Sequence, residues 1–393
     1  MPPTQARSMP AQVILLIAAA AMLLATGCQS GGPIRAIWVT RFDYRTEDDI
    51  TRIMKNCSDA GFNVVVFQVR GNGTVFYPSK IEPWAEQFDY KDPGYDPLQV
   101  ALREAHARNM LLHAWMNIIP AWRGTEPPAC AEHLYHTHPD WFWYDQHGNR
   151  QALSTFYVSV NPCLPEVREY LVSVIEEVVA NYAVDGVHMD YIRFPSEPPA
   201  IPEGSDIDYP YDAKTLALFK EETGMTPENE EAWKQWRLAQ VTKLVADIHA
   251  MMRRTRPKAV LAASLGTDPV QDMRFFRDSR RWADTGIVDE AYPMNYERNL
   301  EDFNQGLAMW LPHTGKYALV PGLWFQPGLS PEEGSAVVRQ QIESAIEKTG
   351  NVCVFAYASL FDTSEVAGEE NEEQRDRRIR REVLLPYLRS LAK

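Results

Sequence analysis

The sequence has few basic residues for its length and contains no basic run. Lys and Arg number 39 against 53 Asp and Glu, which gives 393 residues a formal net charge of −14. Binding to a phosphate backbone needs clustered Lys and Arg. The composition therefore argues against a nucleic-acid partner and fits a neutral or weakly charged ligand better.

Several short functional motifs are also absent. The residues after the first apolar run, 39–43 (VTRFD), lack the glycines of a dinucleotide-binding turn. The chain has no P-loop, no Gly-x-Ser-x-Gly elbow and no Cys-x-x-Cys pair. These absences exclude the commonest nucleotide-binding, serine-hydrolase and structural-zinc signatures. His133, His136 and His138 lie close together, but they fall in a loop, and the only carboxylates directly beside them are Glu132 and Asp140. No metal and no other cofactor is therefore expected.

The first thirty residues resemble an export signal. Arg7 precedes an apolar run over residues 13–24, which is too short to span a bilayer comfortably. Residues 24–28 (LATGC) resemble the lipobox of bacterial lipoproteins, with Ala25 where Leu is commonest. We expect a signal peptide over 1–27, lipidation at Cys28, a tether over 28–34 and a folded domain over 35–393. The alternatives are an uncleaved anchor and an ordinary signal peptide with an incidental cysteine.

Export by that signal would place the protein in the cell envelope, where the lipid alone would hold it to a membrane. Gln29 after the cysteine, rather than Asp, fits the outer membrane if the host has one. Besides Cys28, four cysteines remain in this oxidising compartment, so three full pairings are possible. Cys130 with Cys163 is the most plausible pair, because both lie in one long irregular stretch.

The rest of the chain alternates strand-like and helical segments, which predicts βα units around a parallel sheet. Strands are predicted over residues 36–40, 63–70, 111–119, 186–194, 260–266, 290–296, 317–324 and 352–360. Helices are predicted over 47–60, 97–108, 165–182, 230–254, 272–282, 331–348 and 376–391. Eight strands alternating with helices, without a glycine-rich first turn, favour a single (β/α)8 TIM barrel over an open doubly wound sheet. The longest connections follow strands three and four, where barrel active sites are built.

Residues 185–195 (DGVHMDYIRFP) carry the clearest functional signal. A strand has a side-chain period of two, so His188 and Asp190 share one face. If that face points into the barrel, the Asp190 carboxylate emerges at the active-site mouth. The alternative is a structural aspartate paired with Arg193 or Arg70.

The chain as a whole resembles a known family, the bacterial glycosyl hydrolase-like family ten, whose members are barrel enzymes of the cell envelope. The resemblance rests on residues 35–40 (RAIWVT), 66–70 (VFQVR), 77–84 (YPSKIEPW), 92–97 (DPGYDP), 113–117 (HAWMN), 138–141 (HPDW), 161–162 (NP) and 166–170 (EVREY). Two positions depart from the family pattern. Tyr191 replaces the second of two adjacent acidic residues, and Cys163 stands where Gly is usual after Asn-Pro.

Glycoside hydrolysis normally uses two carboxyl groups that flank the scissile bond. Asp190 supplies one of them. For the second we consider Asp268 after the fifth strand, Glu297 after the sixth and Asp43 after the first. Glu297 is slightly favoured, because residues 293–297 place it on one face with Asn295.

The remaining candidates are side chains that could bind a polyhydroxylated ligand. They are Gln68, Arg70, His113, Trp115, Asn117, His188, Tyr191, Arg193, Asn295, Tyr296, Trp324 and Tyr357. Trp115 is the leading sugar platform, with core packing as its alternative reading, and Arg70 could hold Asp190 ionised.

The resemblance implies a glycosidase that acts on an envelope polysaccharide by carboxylate acid/base catalysis. Peptidoglycan glycan strands are the leading substrate, because the predicted anchor and the family both point to that compartment. The alternatives are a non-catalytic glycan-binding lipoprotein and a glycosidase for another polysaccharide. The sequence leaves the oligomeric state open.

Overall fold

The computed structural model describes residues 32–195, 201–313, 316–325, 328–363 and 371–392. The chain divides into two units, Met1–Pro33 and Ile34–Lys393. The expected signal peptide and Cys28 lie outside the described residues, so export and lipidation stay predictions. No helix within the described ranges combines the length and apolar character that a bilayer crossing requires.

One sheet of nine parallel strands forms the centre of the fold. The strands are β1 (Arg35–Val39), β2 (Val64–Arg70), β3 (Leu111–Asn117), β6 (Gly186–Asp190), β7 (Val260–Leu265), β8 (Glu290–Pro293), β9 (Ala318–Leu319), β10 (Gly322–Trp324) and β11 (Val352–Phe355). Their order in the sheet is β10-β11-β1-β2-β3-β6-β7-β8-β9. A parallel bridge between Met294 and Gly322 joins the residues after β8 to β10. The sheet thus curls back on itself, which confirms the predicted (β/α)8 barrel.

The seventh predicted strand is divided in two. β9 pairs with β8, whereas β10 pairs with β11. Pro321 lies between them and has no N–H to donate to a ladder, which is a physical reason for the break. The eight predicted strand positions therefore appear as nine short strands.

The longer helices cover the outside of the sheet, and shorter ones lie in its connections. They span Glu47–Asp59, Pro97–His106, Leu134–Thr137, Pro165–Asn181, Ala213–Thr223, Glu230–Thr255, Pro269–Asp272, Ser279–Thr285, Leu300–Trp310, Pro331–Thr349, Tyr357–Leu360 and Glu372–Ser390. Capping boxes at Thr46 and Ser330 fix the starts of the first and tenth of these helices. The predicted strand over 352–360 is wrong in its second half, because β11 ends at Phe355 and a short helix follows.

Side chains alternate between two apolar layers. The layer inside the barrel includes Trp38, Val66, Trp115, Tyr292 and Cys353. The alternate positions of the same strands belong to the layer beneath the helices. The alternation in β6 places Val187 and Met189 in that outer layer, so His188 and Asp190 point into the barrel, as the period of two predicts.

The long connection after β3 contains a small antiparallel sheet of its own, β4 (Pro120–Gly124) and β5 (Ser154–Ser159). The connection after β6 runs to the helix that Asp212 caps, and residues 196–200 of it lie outside the described ranges. Both connections start at the C-terminal ends of strands. We call that end of the barrel the mouth.

The predicted disulfide between Cys130 and Cys163 is not formed, since both cysteines are free, as are Cys57 and Cys353. Cys163 is buried directly before the helix Pro165–Asn181. Cys130 is partly exposed, and its thiol donates to Glu132 Oε2 at 3.2 Å. Although both cysteines lie in the same irregular stretch of sequence, the fold does not pair their sulfurs.

Replacing Gly322 by Ala is expected to lower the free energy of unfolding by about 1–3 kcal/mol, because the barrel interior has no room for a methyl group. The added Cβ would lie 2.7 Å from Cη2 of Trp38 and 3.1 Å from the Pro293 carbonyl oxygen. Chemical denaturation followed by tryptophan fluorescence measures the change.

Gly334→Ala is the matched control. Gly334 lies inside a helix with its nearest atom, Leu329 Cβ, at 3.7 Å, so the alanine is expected to stabilise by roughly 0.5–1 kcal/mol. Equal effects of the two substitutions would contradict the close packing of Gly322 on Trp38.

Candidate active site

Asp190 is the last residue of β6 and lies opposite Asn117 of β3 in the sheet register. Its backbone carbonyl accepts from the Ile118 N–H at 2.9 Å, which fixes the end of the strand to the next connection. The side chain points into the mouth and is only 8% exposed. Its Oδ1 accepts from the Tyr191 N–H at 2.7 Å. The position expected from the sequence is therefore the observed one.

Burial raises the pKa of Asp190 above that of an ordinary aspartate. The Tyr191 N–H, the charges of Arg193 and Arg277 and the Trp115 indole act in the opposite direction on this pKa. A carboxyl group that is desolvated and faces two cations is typical of catalytic positions, although structural networks produce the same pattern.

Tyr191 has a left-handed backbone, with φ of +49°. This region is unfavourable for a bulky residue, and Asn and Asp tolerate it better. The conformation points the Tyr191 N–H at the Asp190 carboxylate and brings the Tyr191 ring to 4.9 Å from the Tyr157 ring. The departure from the family pattern at this position therefore places an aromatic ring at the mouth where a second acid would stand.

A buried ion pair that the sequence reasoning missed lies beyond the end of β7. Arg277 is paired with Asp272, and the other oxygen of Asp272 accepts from the Gly266 N–H at 3.0 Å. A Cβ at Gly266 would lie 2.1 Å from Asp272 Oδ1, so the glycine leaves room for the pair. The charge of Arg277 acts on Asp190. An acid and a base five residues apart after a predicted strand were the available signal.

Aromatic rings form the opposite side of the mouth. Tyr296 lies 5.8 Å from both Trp324 and Phe355, measured between ring centroids. Burial and the nearby Asp190 carboxylate raise the pKa of Tyr296. All three residues are partly exposed, so they are available for contact with a sugar. Phe355 was not predicted, because its strand end was placed five residues further along.

Trp115 does not share that exposure. It is 5% exposed and packs inside the barrel with Trp38 and Val66. Its register partner is His188, one layer below Asp190. The structure therefore favours the core-packing reading of Trp115 over the sugar platform.

Polar side chains line the mouth beside Asn117. The Gln68 amide donates to Asn117 Oδ1 at 3.3 Å, and Gln68 Oε1 accepts from the Arg41 N–H at 3.0 Å. Tyr157 Oη is within 3.4 Å of Asn117 Nδ2 and 3.3 Å of Arg41 Nη2. Gln68 and Asn117 thus lie together as expected, whereas Arg41 and Tyr157 were missed. Tyr157 arrives on β5, which no period-of-two argument on the barrel strands includes.

Arg70 does not hold Asp190 ionised. Its guanidinium is fully buried and makes two bonds to Glu82, at 2.8 and 2.6 Å. It also donates to the carbonyl oxygens of Asn117 and Ile118. The hypothesis failed because a carboxylate twelve residues away in sequence neutralises Arg70 first. Arg193, the other predicted partner of Asp190, does act on it and lies 5.4 Å from the Tyr191 ring.

His113 and His188 lie deeper in the barrel than a substrate could contact. His188 Nε2 is 2.8 Å from Ser264 Oγ and accepts from the Trp38 indole at 3.2 Å. Burial lowers the pKa of His188 well below its ordinary value. His113 Nδ1 is 3.8 Å from Glu290 Oε2. Both histidines support the floor of the site.

Tyr357 and Asn295 point away from the mouth. Tyr357 is fully buried in the outer layer, where its hydroxyl accepts from Asn56 at 2.9 Å. Asn295 donates to the Phe303 carbonyl at 2.8 Å, toward a covering helix. Their assignment as ligand residues is wrong, because one follows the true end of β11 and the other faces outward.

The three candidates for the second carboxyl differ in their surroundings. Asp268 caps the helix Pro269–Asp272 and accepts from the Val270 N–H at 2.7 Å. Asp43 is 3% exposed and accepts from the Thr40 N–H at 2.6 Å, and burial raises its pKa to about 6. Within the described part of the chain, the Glu297 carboxylate has no hydrogen bond or ion pair and is partly exposed.

The three histidines of the β4–β5 connection have separate partners. His133 contacts the Asn72 carbonyl at 3.0 Å, and His136 contacts the Pro128 carbonyl at 2.7 Å. The His138 ring stacks on Trp141 at 3.8 Å. In the described ranges no three His, Cys, Asp or Glu side chains form a group that could hold a metal.

Comparison with known proteins gives consistent matches. The model of a family described as glycosyl hydrolase-like 10 matches residues 33–312. Glycosyl hydrolase DigH of Escherichia coli K12 is 28% identical over 319 residues, which is 69% of this chain and 67% of DigH. Glycosyl hydrolase YngK of Bacillus subtilis 168 is 27% identical over 304 residues, and the match covers 68% of this chain and 55% of YngK.

Among solved structures, the catalytic domain of β-amylase from Paenibacillus polymyxa superposes with a TM-score of 0.59 at 10% identity. The match covers 92% of this chain and 98% of that domain. At this identity the likeness concerns the fold alone.

Asp190→Asn is expected to stabilise the fold at pH 7 by roughly 0.5–2 kcal/mol, because it removes a desolvated charge from a functional site. Because the folded-state pKa of Asp190 is raised, the wild type loses stability as pH rises from the unfolded-state pKa through the folded one. The asparagine variant avoids that loss. Denaturation of both proteins at pH 7 and pH 3 measures it, and a difference that does not shrink at pH 3 would contradict the cause given.

Proposed function

The chain belongs to the glycosyl hydrolase-like 10 family, and from this membership we propose that it hydrolyses glycosidic bonds with Asp190 as the central catalytic carboxyl. The observation that carries the proposal is the buried Asp190 side chain at the barrel mouth. Burial raises the pKa of Asp190, whereas the charges of Arg193 and Arg277 act to lower it. Its position at the C-terminal end of a strand is the one that barrel enzymes use for catalysis.

In the proposed reaction, ionised Asp190 takes one of two roles. It either takes a proton from the attacking water, or it attacks the anomeric carbon to form a glycosyl ester, which water then hydrolyses with the second carboxyl as base. The second carboxyl donates its proton to the glycosidic oxygen, so the leaving sugar departs as a neutral alcohol. Arg193 and Arg277 favour the ionised form of Asp190, whereas burial keeps water from solvating it. Tyr296, Trp324 and Phe355 would contact the faces of bound sugars.

The expected shared face with Asn295 does not support Glu297, because Asn295 points outward. Glu297 is the leading candidate for the proton donor on the ground of its surroundings. Asp268 is committed to a helix cap, whereas Glu297 makes no such bond to the described residues. Asp43 remains a third candidate, because a pKa of about 6 suits a group that must be protonated near neutral pH.

We propose peptidoglycan glycan strands as the substrate and the bacterial envelope as the location, with the membrane reached only through lipid at Cys28. The support is the lipobox-like segment at residues 24–28, together with the family membership. Mass spectrometry of the N-terminal peptide would test the acylation of Cys28.

Asp190→Asn is expected to lower the release of new reducing ends from purified peptidoglycan by at least about 10³-fold, because the amide can neither attack nor accept the proton. The wild type and the variant are compared on strands with and without stem peptides. A variant that keeps glycan binding but not turnover supports catalysis. Unchanged binding with no turnover by either protein would indicate a glycan-binding protein, and no binding by either would indicate another polysaccharide.

Glu297→Gln is expected to lower the rate by about 10²–10⁴-fold, the range that general acid catalysis contributes. Asp268→Asn is the matched control, because asparagine caps a helix as well as aspartate does. Asp268→Asn should keep near wild-type kcat. Loss of rate in Asp268→Asn with retention in Glu297→Gln would reverse the assignment, and loss in neither would transfer it to Asp43.

A further inference from the structure

Arg41, at the mouth, differs from most other buried arginines in having no carboxylate partner. The Arg41 residue is only 2% exposed. Its guanidinium donates to Tyr157 Oη at 3.3 Å, and its Nε is buried without a hydrogen-bond partner. No Asp or Glu in the described part of the chain lies within ion-pair distance of it.

Three of the other buried guanidinium groups are neutralised by carboxylates. Arg70 pairs with Glu82 at 2.6 Å, Arg237 pairs with Asp208 at 2.6 Å, and Arg277 pairs with Asp272. A buried charge without a counter-charge costs free energy, and proteins rarely keep one without a use for it. The described part of the chain therefore supplies no counter-charge for Arg41, so a bound anion would have to provide it.

The surroundings hold the Arg41 side chain at the mouth. A Cβ at Gly71 would lie 2.7 Å from both Cζ and Nε of Arg41, so the guanidinium rests on the bare backbone of that glycine. On another side, the Phe42 ring centroid is 4.5 Å from Arg41 Cζ, and Phe42 is 51% exposed. The charge is thus positioned before any ligand binds, beneath a ring that solvent reaches.

Arg41 is connected to the proposed catalytic carboxyl by a chain of three contacts. Its Nη2 bonds to Tyr157, whose ring lies 4.9 Å from that of Tyr191. Tyr191 in turn donates its N–H to Asp190. A sugar bound near Asp190 would therefore place its neighbouring substituents close to Arg41.

We propose that Arg41 forms an anion subsite that binds a carboxylate substituent of the glycan, an assignment that rests on the proposed glycosidase function. Arginine binds carboxylates by charge-assisted hydrogen bonds. A single cation fixed at one place in the mouth would select a carboxylate at a defined position on the sugar. The carboxylate could belong to the lactyl ether of a peptidoglycan amino sugar or to a uronic acid.

The test compares full-length protein in non-ionic detergent on two kinds of glycan, peptide-free peptidoglycan strands and a polyuronate. Each is used intact and after reduction of its carboxyl groups to primary alcohols. The wild type is expected to lose about 10- to 100-fold in kcat/KM on the reduced form of its preferred glycan, since a charge-assisted bond is removed. The glycan that shows this loss identifies the source of the carboxylate.

Arg41→Met should show the same loss on intact glycan and no further loss on reduced glycan, and Gly71→Ala should behave similarly because it displaces the Arg41 side chain. Arg123→Met is the matched control. Arg123 is exposed, and its Cζ lies 5.7 Å from the Tyr157 ring, so the same charge is removed near the same tyrosine. The control should discriminate like the wild type.

Equal wild-type rates on intact and reduced forms of both glycans would overturn the subsite. If the wild type cleaves neither glycan, the proposed function fails, and the subsite is then decided by calorimetric binding of the same four glycans. Weaker binding of the intact form by Arg41→Met alone would still support it. Equal binding by the wild type, Arg41→Met and Arg123→Met would overturn it.

Discussion

Closure of the parallel sheet is the constraint on which the rest of the structure depends. The bridge between Met294 and Gly322 completes the ring, so alternate side chains of every strand must share one interior. That interior is filled by large rings such as Trp38, Trp115 and Tyr292. With the lower barrel solid, polar groups that point inward become useful at the mouth, where Asn117 and Asp190 lie side by side.

The mouth combines two kinds of surface, which suits a ligand with apolar ring faces and polar edges. The rings of Tyr296, Trp324 and Phe355 lie on one side. Gln68, Asn117 and Tyr157 lie on the other side, where they are at most 6% exposed and Asn117 bonds to both of the others. Asp190 lies between these surfaces at the end of β6. Its burial and its cationic neighbours act on its pKa in opposite directions. This balance allows one aspartate to be ionised although it is largely removed from water.

What a charged residue at the site can do depends on which oppositely charged side chain already binds it. Arg70 and Arg277 are both buried arginines near the mouth, yet Glu82 and Asp272 bind them. Arg41 is left without such a partner in the described part of the chain. Residue type alone therefore did not separate a structural arginine from one available to a ligand, because the difference lies in which carboxylate is near.

The sequence by itself determined the strand-helix alternation, the barrel and the inward direction of Asp190, because hydrophobic periodicity and the period of two are local properties. It also identified Gln68, Asn117, Tyr191 and Tyr296 at the mouth. Only the tertiary structure decided that Arg70 binds Glu82, that Tyr357 and Asn295 face outward, that Cys130 and Cys163 stay apart and that Tyr157 and Arg277 join the site. Those outcomes depend on contacts between segments distant in sequence and on where strands end by one or two residues, which local patterns do not encode.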